Sequence, residues 1–157
     1  MKIIVHTMEY NGGEIHSPMT LRNYLSSDYR QYQKIYNECF SEMRTALCLN
    51  PINCCGTESD LVKKHQNLFI LEMNDKIIGS VAIYGNEIND LIVANQYQRK
   101  GYGELLLKFA ISFLQKNKSS LIPIRLHVAD WNQGALKMYM KNGFKIIHTK
   151  TIVTGLI

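Results

Sequence analysis

The sequence predicts an α/β domain of the α+β type, a mixed β-sheet with helices packed on it. Three observations lead there. Short apolar runs alternate through much of the chain, longer segments carry apolar residues at three- and four-residue spacing, and after residue 100 the two kinds of segment follow one another as helix, strand, helix, strand. The 157 residues suit one domain, and no repeat, low-complexity tract or linker divides them, so 1–157 is expected to fold as a single unit.

Each element has its own signal. Ile3, Val5 and Thr7 alternate, Asn11-Gly12-Gly13 turns, and Met19-Thr20-Leu21 resumes, so residues 1–20 predict an N-terminal strand or short hairpin at a sheet edge. Ser26-Ser27-Asp28 offers an N-cap to a helix whose stripe is Tyr29, Tyr32, Tyr36, Cys39, Phe40, Met43 and Leu47. Pro51 and Gly56 mark the loop beyond it. Leu68–Met73, Ile77–Tyr84 and Ile88–Ala94, separated by Asn74-Asp75 and Gly85-Asn86, read as an antiparallel meander. From Tyr102 a helix places Leu105, Leu106, Phe109, Ala110 and Phe113 inward and Glu104, Lys108 and Ser112 outward. Ile124–Val128 alternates as a strand, residues 132–142 form another helix stopped by Gly143, and Lys145–Val153 supplies a last strand.

Composition narrows the function classes. With 46% hydrophobic residues a core is available, which excludes disorder as the main state. No run approaches the roughly 18 apolar residues of a membrane span, and Ile3-Ile4-Val5 is too short for a signal-peptide core, so a cytoplasmic protein without membrane contact is expected. The four cysteines, Cys39, Cys48, Cys54 and Cys55, lack Cys-x-x-Cys spacing and read as free buried thiols. A net charge of +5 favours anionic partners, yet no clustered basic stripe supports nucleic-acid binding. His6, His16, His65 and His148 share no ligand spacing and read as surface or edge residues; no metal is expected.

The informative segment is Leu91-Ile92-Val93-Ala94-Asn95-Gln96-Tyr97-Gln98-Arg99-Lys100-Gly101-Tyr102-Gly103, a strand feeding a glycine turn that opens into the long helix. Glycine lets the backbone approach a ligand, the first N–H groups of a helix point outward, and the dipole adds about half a positive charge. Arg99 and Lys100 add cations, so the turn has the makings of an anion cradle. About thirty residues on, Asn132-Gln133-Gly134-Ala135-Leu136-Lys137-Met138-Tyr139 opens a second helix after a strand, and Asn142-Gly143-Phe144 closes it.

These two segments resemble the motifs of the GCN5-related N-acetyltransferases (GNAT). Gln98-Arg99-Lys100-Gly101-Tyr102-Gly103 is similar to the Gln/Arg-x-x-Gly-x-Gly/Ala acetyl-CoA signature, and Asn132, Ala135, Tyr139, Gly143 and Phe144 match the family's Asn-x-x-Ala-x-x-x-Tyr-x-x-x-Gly-Phe. The resemblance is strong over residues 68–147. It implies the GNAT fold, with helices on both faces of a mixed central sheet, and acetyl-CoA as acyl donor to an amine acceptor. It implies further that Leu91, Ile92 and Val93 end a strand that splays from its neighbour and pairs with the pantetheine. Arg99, Lys100, Gly101, Tyr102, Gly103 and Glu104 would hold the pyrophosphate, and Asn132 would bond the pantetheine or cap its helix. Val93 N–H would be the oxyanion donor.

Acyl transfer to an amine needs a proton acceptor for the amine and a proton donor for the leaving thiolate. By the resemblance Tyr139 is the donor, a phenol of ordinary pKa near ~10 beside a thiolate near ~8.5. His127 stands where some members carry a glutamate, and an imidazole near pKa ~6.5 is largely neutral at pH 7. Glu87 is the second candidate base, with Asp90 or a water behind it. Strand alternation sets Glu87, Asn89 and Leu91 on one face and Asp90 and Ile92 on the other. No cysteine lies in either motif, which disfavours a covalent route. The helix of residues 29–47 would border the acceptor pocket.

The match departs at its end. After Phe144 thirteen residues remain, where the family closes its sheet with two C-terminal strands. Residues 2–20 could pair into the vacated edge, or a second subunit, in a homodimer, could complete it. The leading expectation is direct acetyl transfer to a primary amine of a small molecule or peptide; the alternative is a silent acyl-CoA-binding sensor of the same fold. The acceptor itself is not encoded in either motif.

Overall fold

A computed structural model describes residues 2–46, 55–117 and 122–153. The strands are β1 (Lys2–Tyr10), β2 (Arg22–Asn23), β3 (Leu68–Met73), β4 (Lys76–Tyr84), β5 (Glu87–Val93), β6 (Arg125–Ala129) and β7 (Phe144–Val153). The helices are α1 (Tyr29–Ala46), α2 (Glu58–Lys63), α3 (Tyr102–Asn117) and α4 (Gln133–Lys141). Leu47, Pro51, Cys48 and Cys54 lie outside the described residues, while Cys39 and Cys55 are free thiols, the second buried.

The strands form one sheet in the order β2-β3-β4-β5-β6-β1-β7. β3, β4 and β5 make the predicted meander, joined by two-residue turns in which Asn74, Asp75 and Gly85 take positive φ. β5 and β6 run parallel and every other pairing is antiparallel, so the sheet is mixed.

Helices cover both faces. Leu106, Leu107, Ala110, Ile111 and Leu114 of α3 and Leu136 of α4 pack with Met8, Ile88, Leu126 and Val128 of the sheet. Tyr32 and Ile35 of α1 pack on Leu68, Ile70, Ala82 and Ile92 on the other side. Each fully buried Leu, Ile or Met among them contributes about 1.5–3 kcal/mol. The tyrosine stripe of α1 is therefore a core face, with Tyr32 edge-on to Tyr24 at 5.7 Å.

Of the two readings of residues 2–20, the pairing into the vacated place in the sheet is formed, by residues 2–10, and the edge hairpin is not. β1 is an inner strand, hydrogen-bonded to β6 on one side and β7 on the other, rather than half of an edge hairpin. The reason is burial: Met8 is fully enclosed and His6 nearly so, which an edge hairpin would not achieve. The sheet closure that two C-terminal strands would have made is made by the last strand and the first. After Tyr10 the chain does not turn back but crosses α3, where Ile15 N–H donates to Gln115 Oε1 (2.8 Å) and Ser17 N–H to Ser112 Oγ (3.4 Å). It then reaches the far edge, where Arg22 and Asn23 pair with β3.

That crossing also corrects the helix face. Ser112, expected outside, is buried beneath residues 13–17, and Leu107 and Ile111 are buried instead of Leu105, which is exposed. His6, expected at the surface or an edge, is buried between Thr149 Oγ1 and Asp130 Oδ1, each 2.8 Å from a ring nitrogen. Gly143 does end α4, at φ +95°, and a Cβ there would lie 2.9 Å from the Tyr10 ring. Residue 143 is thus held to glycine by conformation and by close approach.

At the β2 edge Arg22 forks onto buried Asp28 (2.8 and 2.9 Å) and reaches Glu72 (2.9 Å). Asp28 also accepts the Leu25 N–H at 2.7 Å, fixing the turn into α1. Burial alone would push its carboxyl up, but the Arg22 and Leu25 hydrogen bonds outweigh it and hold the pKa below the ordinary value. A depressed carboxyl stabilises the fold above its unfolded pKa near ~3.9, and that contribution is lost as pH falls through the folded value. Asp28→Ala is accordingly predicted to cost about 2–3 kcal/mol in urea denaturation at pH 7 and less at pH 3; equal stabilities at pH 7 would contradict this.

Candidate active site

The site begins with a defect in β5. Asn89 faces Ala82 and Ile92 faces Ser80, so three steps on β5 match two on β4, and Asp90 takes φ +44° in the resulting bulge. Beyond it β5 leaves β6: the parallel pairing covers only Glu87 with Arg125 and Ile88 with Leu126. The splay named by the family resemblance is therefore present in the backbone. The bulge also undoes the strict alternation expected for β5, and Asn89 and Asp90 both line the gap.

Two cavities meet there. The larger, about 570 Å³, runs between the β5 end, the α3 N-terminus and the start of α4. Its walls include Leu91, Val93, Gln98, Arg99, Gly101, Tyr102, Gly103, Glu104, Asn132 and Ala135. The smaller, about 320 Å³, passes through the splay and is lined by Asp90, His127 and Tyr139 with mostly apolar neighbours. Phe40, Leu91, Asn132, Ala135 and Met138 border both, so the two form one continuous cleft.

The turn before α3 has the geometry of an anion cradle. Arg99 and Gly101 take φ +63° and +89°, which curls the chain, and the first bond of the helix runs from Leu105 N–H to the Gly101 carbonyl. The N–H groups of Tyr102, Gly103 and Glu104 precede that bond and are the free donors of the helix start. Gln98 braces the turn, its Nε2 donating to the Val93 carbonyl (3.0 Å) and Asn95 Oδ1 (3.2 Å). Lys100 instead lies over the Tyr97 ring, 5.9 Å from its centroid. Ala94 N–H bonds to Ile78 on β4, so by strand alternation the peptide groups of Val93 and Leu91 face the gap, whereas Ile92 is buried under α1. Asn132 caps α4 by accepting the Ala135 N–H at 3.2 Å.

Tyr139 projects from α4 with its ring edge-on to Phe144, 6.0 Å between centroids. Burial pushes its pKa up to about 12, so the phenol keeps its proton at neutral pH. On the other side of the gap His127 Nε2 lies 2.9 Å from Glu87 Oε1, and His127 Nδ1 lies 3.0 Å from Thr7 Oγ1. Glu87 thus reaches the cleft through His127 rather than lining it. Asp90 lines the cleft itself, and burial raises its carboxyl pKa against the lowering effect of Lys64.

Several wall residues were not singled out from the sequence. Cys39 donates its thiol to the Val93 carbonyl at 3.3 Å, and burial pushes its pKa up, which leaves it a poor nucleophile. Ile3 and Val5 come from β1, which fills the place left in the sheet beside β6, and Asn89 enters through the bulge. Phe40 and Met43 of α1 border the smaller cavity. Among the described residues no cluster of His, Cys, Asp and Glu suits a metal, and no helix is long and apolar enough to cross a membrane.

The sheet is splayed at a bulge, and a glycine turn opens a helix at the gap. The acetyltransferase (GNAT) family model matches residues 27–144, and the chain belongs to that family. Solved structures agree in fold. A GNAT-family acetyltransferase from Colwellia psychrerythraea superposes with a TM-score of 0.66 at 12% identity, covering 96% of this chain and 56% of its own. A GCN5-related N-acetyltransferase from Sphaerobacter thermophilus gives 0.66 at 16%, covering 98% and 53%. This chain thus spans little more than half the length of those two. The PaiA N-acetyltransferase from Thermoplasma acidophilum, in complex with coenzyme A, gives 0.66 at 18% identity and covers 85% of this chain and 98% of its own.

The Asp90 environment yields a stability prediction. A carboxyl whose folded pKa is raised costs stability wherever it is ionised, and its φ of +44° suits asparagine as well as aspartate. Asp90→Asn should stabilise the protein by up to about 1 kcal/mol at pH 7, with the gain fading as pH falls through the folded pKa. Thermal melts at pH 7 and pH 4 check it; destabilisation at pH 7 is the contrary result.

Proposed function

We propose that this protein is an acetyl-CoA-dependent N-acetyltransferase that passes the acetyl group to a primary amine by direct attack in a ternary complex. The observation that carries this reading is the continuous cleft, with an anion cradle at one end and Tyr139 and the His127–Glu87 pair where it crosses the splay. Bound acetyl-CoA would supply the acyl group as an activated thioester. The fit rests on the free N–H groups at the α3 start for the pyrophosphate, with Arg99 beside them, and on the gap-facing peptide of Leu91 for a pantetheine amide, since the Val93 carbonyl already accepts from Gln98 and Cys39.

The chain's own groups then divide the proton work. His127, with Glu87 balancing the charge it gains, takes the proton of the acceptor ammonium. Val93 N–H steadies the carbonyl oxygen as it becomes negative. Tyr139 gives its phenolic proton to the departing sulfur as charge builds there; the raised pKa keeps the phenol protonated at neutral pH until then. Its intact place in the cleft favours turnover over the silent acyl-CoA sensor.

The smaller cavity also bears on the acceptor. Among its described wall residues Asp90 is the one carboxylate, neither Lys nor Arg is present, and Ile3, Val5, Phe40 and Met43 present apolar surface. That composition favours a single amine on a compact apolar body over a polyamine or an aminosugar, whose further charges would lack partners.

The test is thiol release from acetyl-CoA with 2-phenylethylamine, isoamylamine, spermidine, an aminoglycoside and a peptide N-terminus, with calorimetry of acetyl-CoA binding alongside. Amine-dependent release, highest for the apolar monoamines, is expected. Binding without any turnover would favour the sensor, and absence of binding would contradict the proposal outright. Tyr139→Phe should lower kcat by about 10-fold or more while leaving acetyl-CoA affinity within about 2-fold; a wild-type rate would remove Tyr139 from the mechanism.

A further inference from the structure

Both ring nitrogens of His127 are engaged, and the engagement fixes the tautomer. An ionised carboxylate can only accept, so the contact with Glu87 Oε1 at 2.9 Å puts the ring proton on Nε2. Nδ1 is then the basic nitrogen, and the group on it is the Thr7 hydroxyl at 3.0 Å. Thr7 and His127 are direct cross-strand partners of β1 and β6, so backbone hydrogen bonds, not side-chain chance, bring them together. Glu87 pairs with Arg125, two residues before His127 on the same face of β6, which sets the carboxylate diagonally across from the ring. Three adjacent strands thus contribute one residue each to a single line of hydrogen bonds.

We infer that Thr7 is the positioning residue of the proton acceptor: its hydroxyl holds the Nδ1 lone pair of His127 and passes the acceptor's proton to it. The inference rests on the proposed role of His127. In the resting state the Thr7 O–H donates to Nδ1. As the acceptor loses its proton, directly or through a water, an N–H bond breaks and an Oγ1–H bond forms, while the hydroxyl's own proton moves to Nδ1. The ammonium loses one proton and the imidazole gains one, with its positive charge facing Glu87. Thr7 is half-buried and shares the face of β1 that carries Ile3 and Val5, both of which line the smaller cavity, so a water can join its hydroxyl to the cleft. Without the hydroxyl, the ring is still held by Glu87, but its basic nitrogen has lost the donor that orients it. The residue comes from the strand that closes the sheet in place of a second C-terminal strand, so this line of hydrogen bonds depends on that closure.

Thr7→Val keeps a β-branched side chain in the strand and removes only the hydroxyl; Thr7→Ser restores it. Histidine 15N spectra, with the His127 signals assigned by their loss in His127→Gln, give a readout that needs no amine. The expected result is the Nε2–H tautomer with a hydrogen-bonded Nδ1 in wild type and Thr7→Ser, and a shifted Nδ1 signal in Thr7→Val. An unchanged signal overturns the inference. With 2-phenylethylamine as acceptor, Thr7→Val should lower kcat about 10-fold with acetyl-CoA affinity unchanged, and Thr7→Ser should recover most of it. In a His127→Gln background, Thr7→Val should have no further effect. A Thr7→Val loss that persists in that background, or that serine does not rescue, overturns the positioning role. Wild-type kcat in Thr7→Val beside an impaired His127→Gln sinks this inference alone, whereas wild-type kcat in both sinks the assignment of His127 as base as well. Thermal melts that match wild type within about 2 °C exclude misfolding as the cause.

Discussion

The ladder between β1 and β6 is the constraint on which the site depends. β6 is five residues long, and β5 supports it only at Arg125 and Leu126 before turning away. Everything further along β6, including His127 and the turn into α4, is held from the other side, where Val5 through Glu9 pair with Ala129 through Arg125. β1 is in turn held by β7 along its whole length. A strand supported on one side can leave a gap on the other, and that gap is the cleft.

The same strand ties the start of α4 to the sheet. His6 is clamped between Asp130 and Thr149, and Asp130 N–H donates to the Ile4 carbonyl, so the turn that delivers Asn132 is anchored to β1 twice. On the opposite wall the bulge at Asp90 performs the complementary task, twisting β5 away while α1 covers its far face. An open splay in the middle of a sheet leaves peptide groups without strand partners, which is costly unless a ligand or solvent satisfies them. The Val93 carbonyl is satisfied from within, by Gln98 Nε2 and the Cys39 thiol, which leaves the Val93 N–H and the gap-facing peptide of Leu91 without strand partners in the cleft.

Much of this was legible in the sequence because it is written in local chemistry. The meander follows from alternation punctuated by Asn74-Asp75 and Gly85-Asn86, and the cradle from Gly101 beside a helix start. Tyr139 and Asn132 came with a spaced motif on one helix. What was not legible is non-local. That residues 2–10 enter between β6 and β7 depends on which strand edges the rest of the fold leaves free, and the sequence of β1 alone does not contain that information. The burial of Ser112 follows from a segment about 95 residues away crossing α3, so helical period alone assigned it to the wrong face. The bulge at Asp90 has no glycine to announce it, and strict alternation therefore failed there. His127 was identified as a candidate, but its hydrogen bonds to Glu87 and Thr7 required the register of three strands.

Amide hydrogen exchange of β1 tests this account most directly. If β1 is the inner strand that holds β6, the amides of Val5 to Met8 exchange as slowly as those of β4, at a protection approaching that of global unfolding. Exchange of those amides at the rate of a frayed terminus, with β4 still protected, would mean that the first strand does not close the sheet, and the site built on it would fall with it.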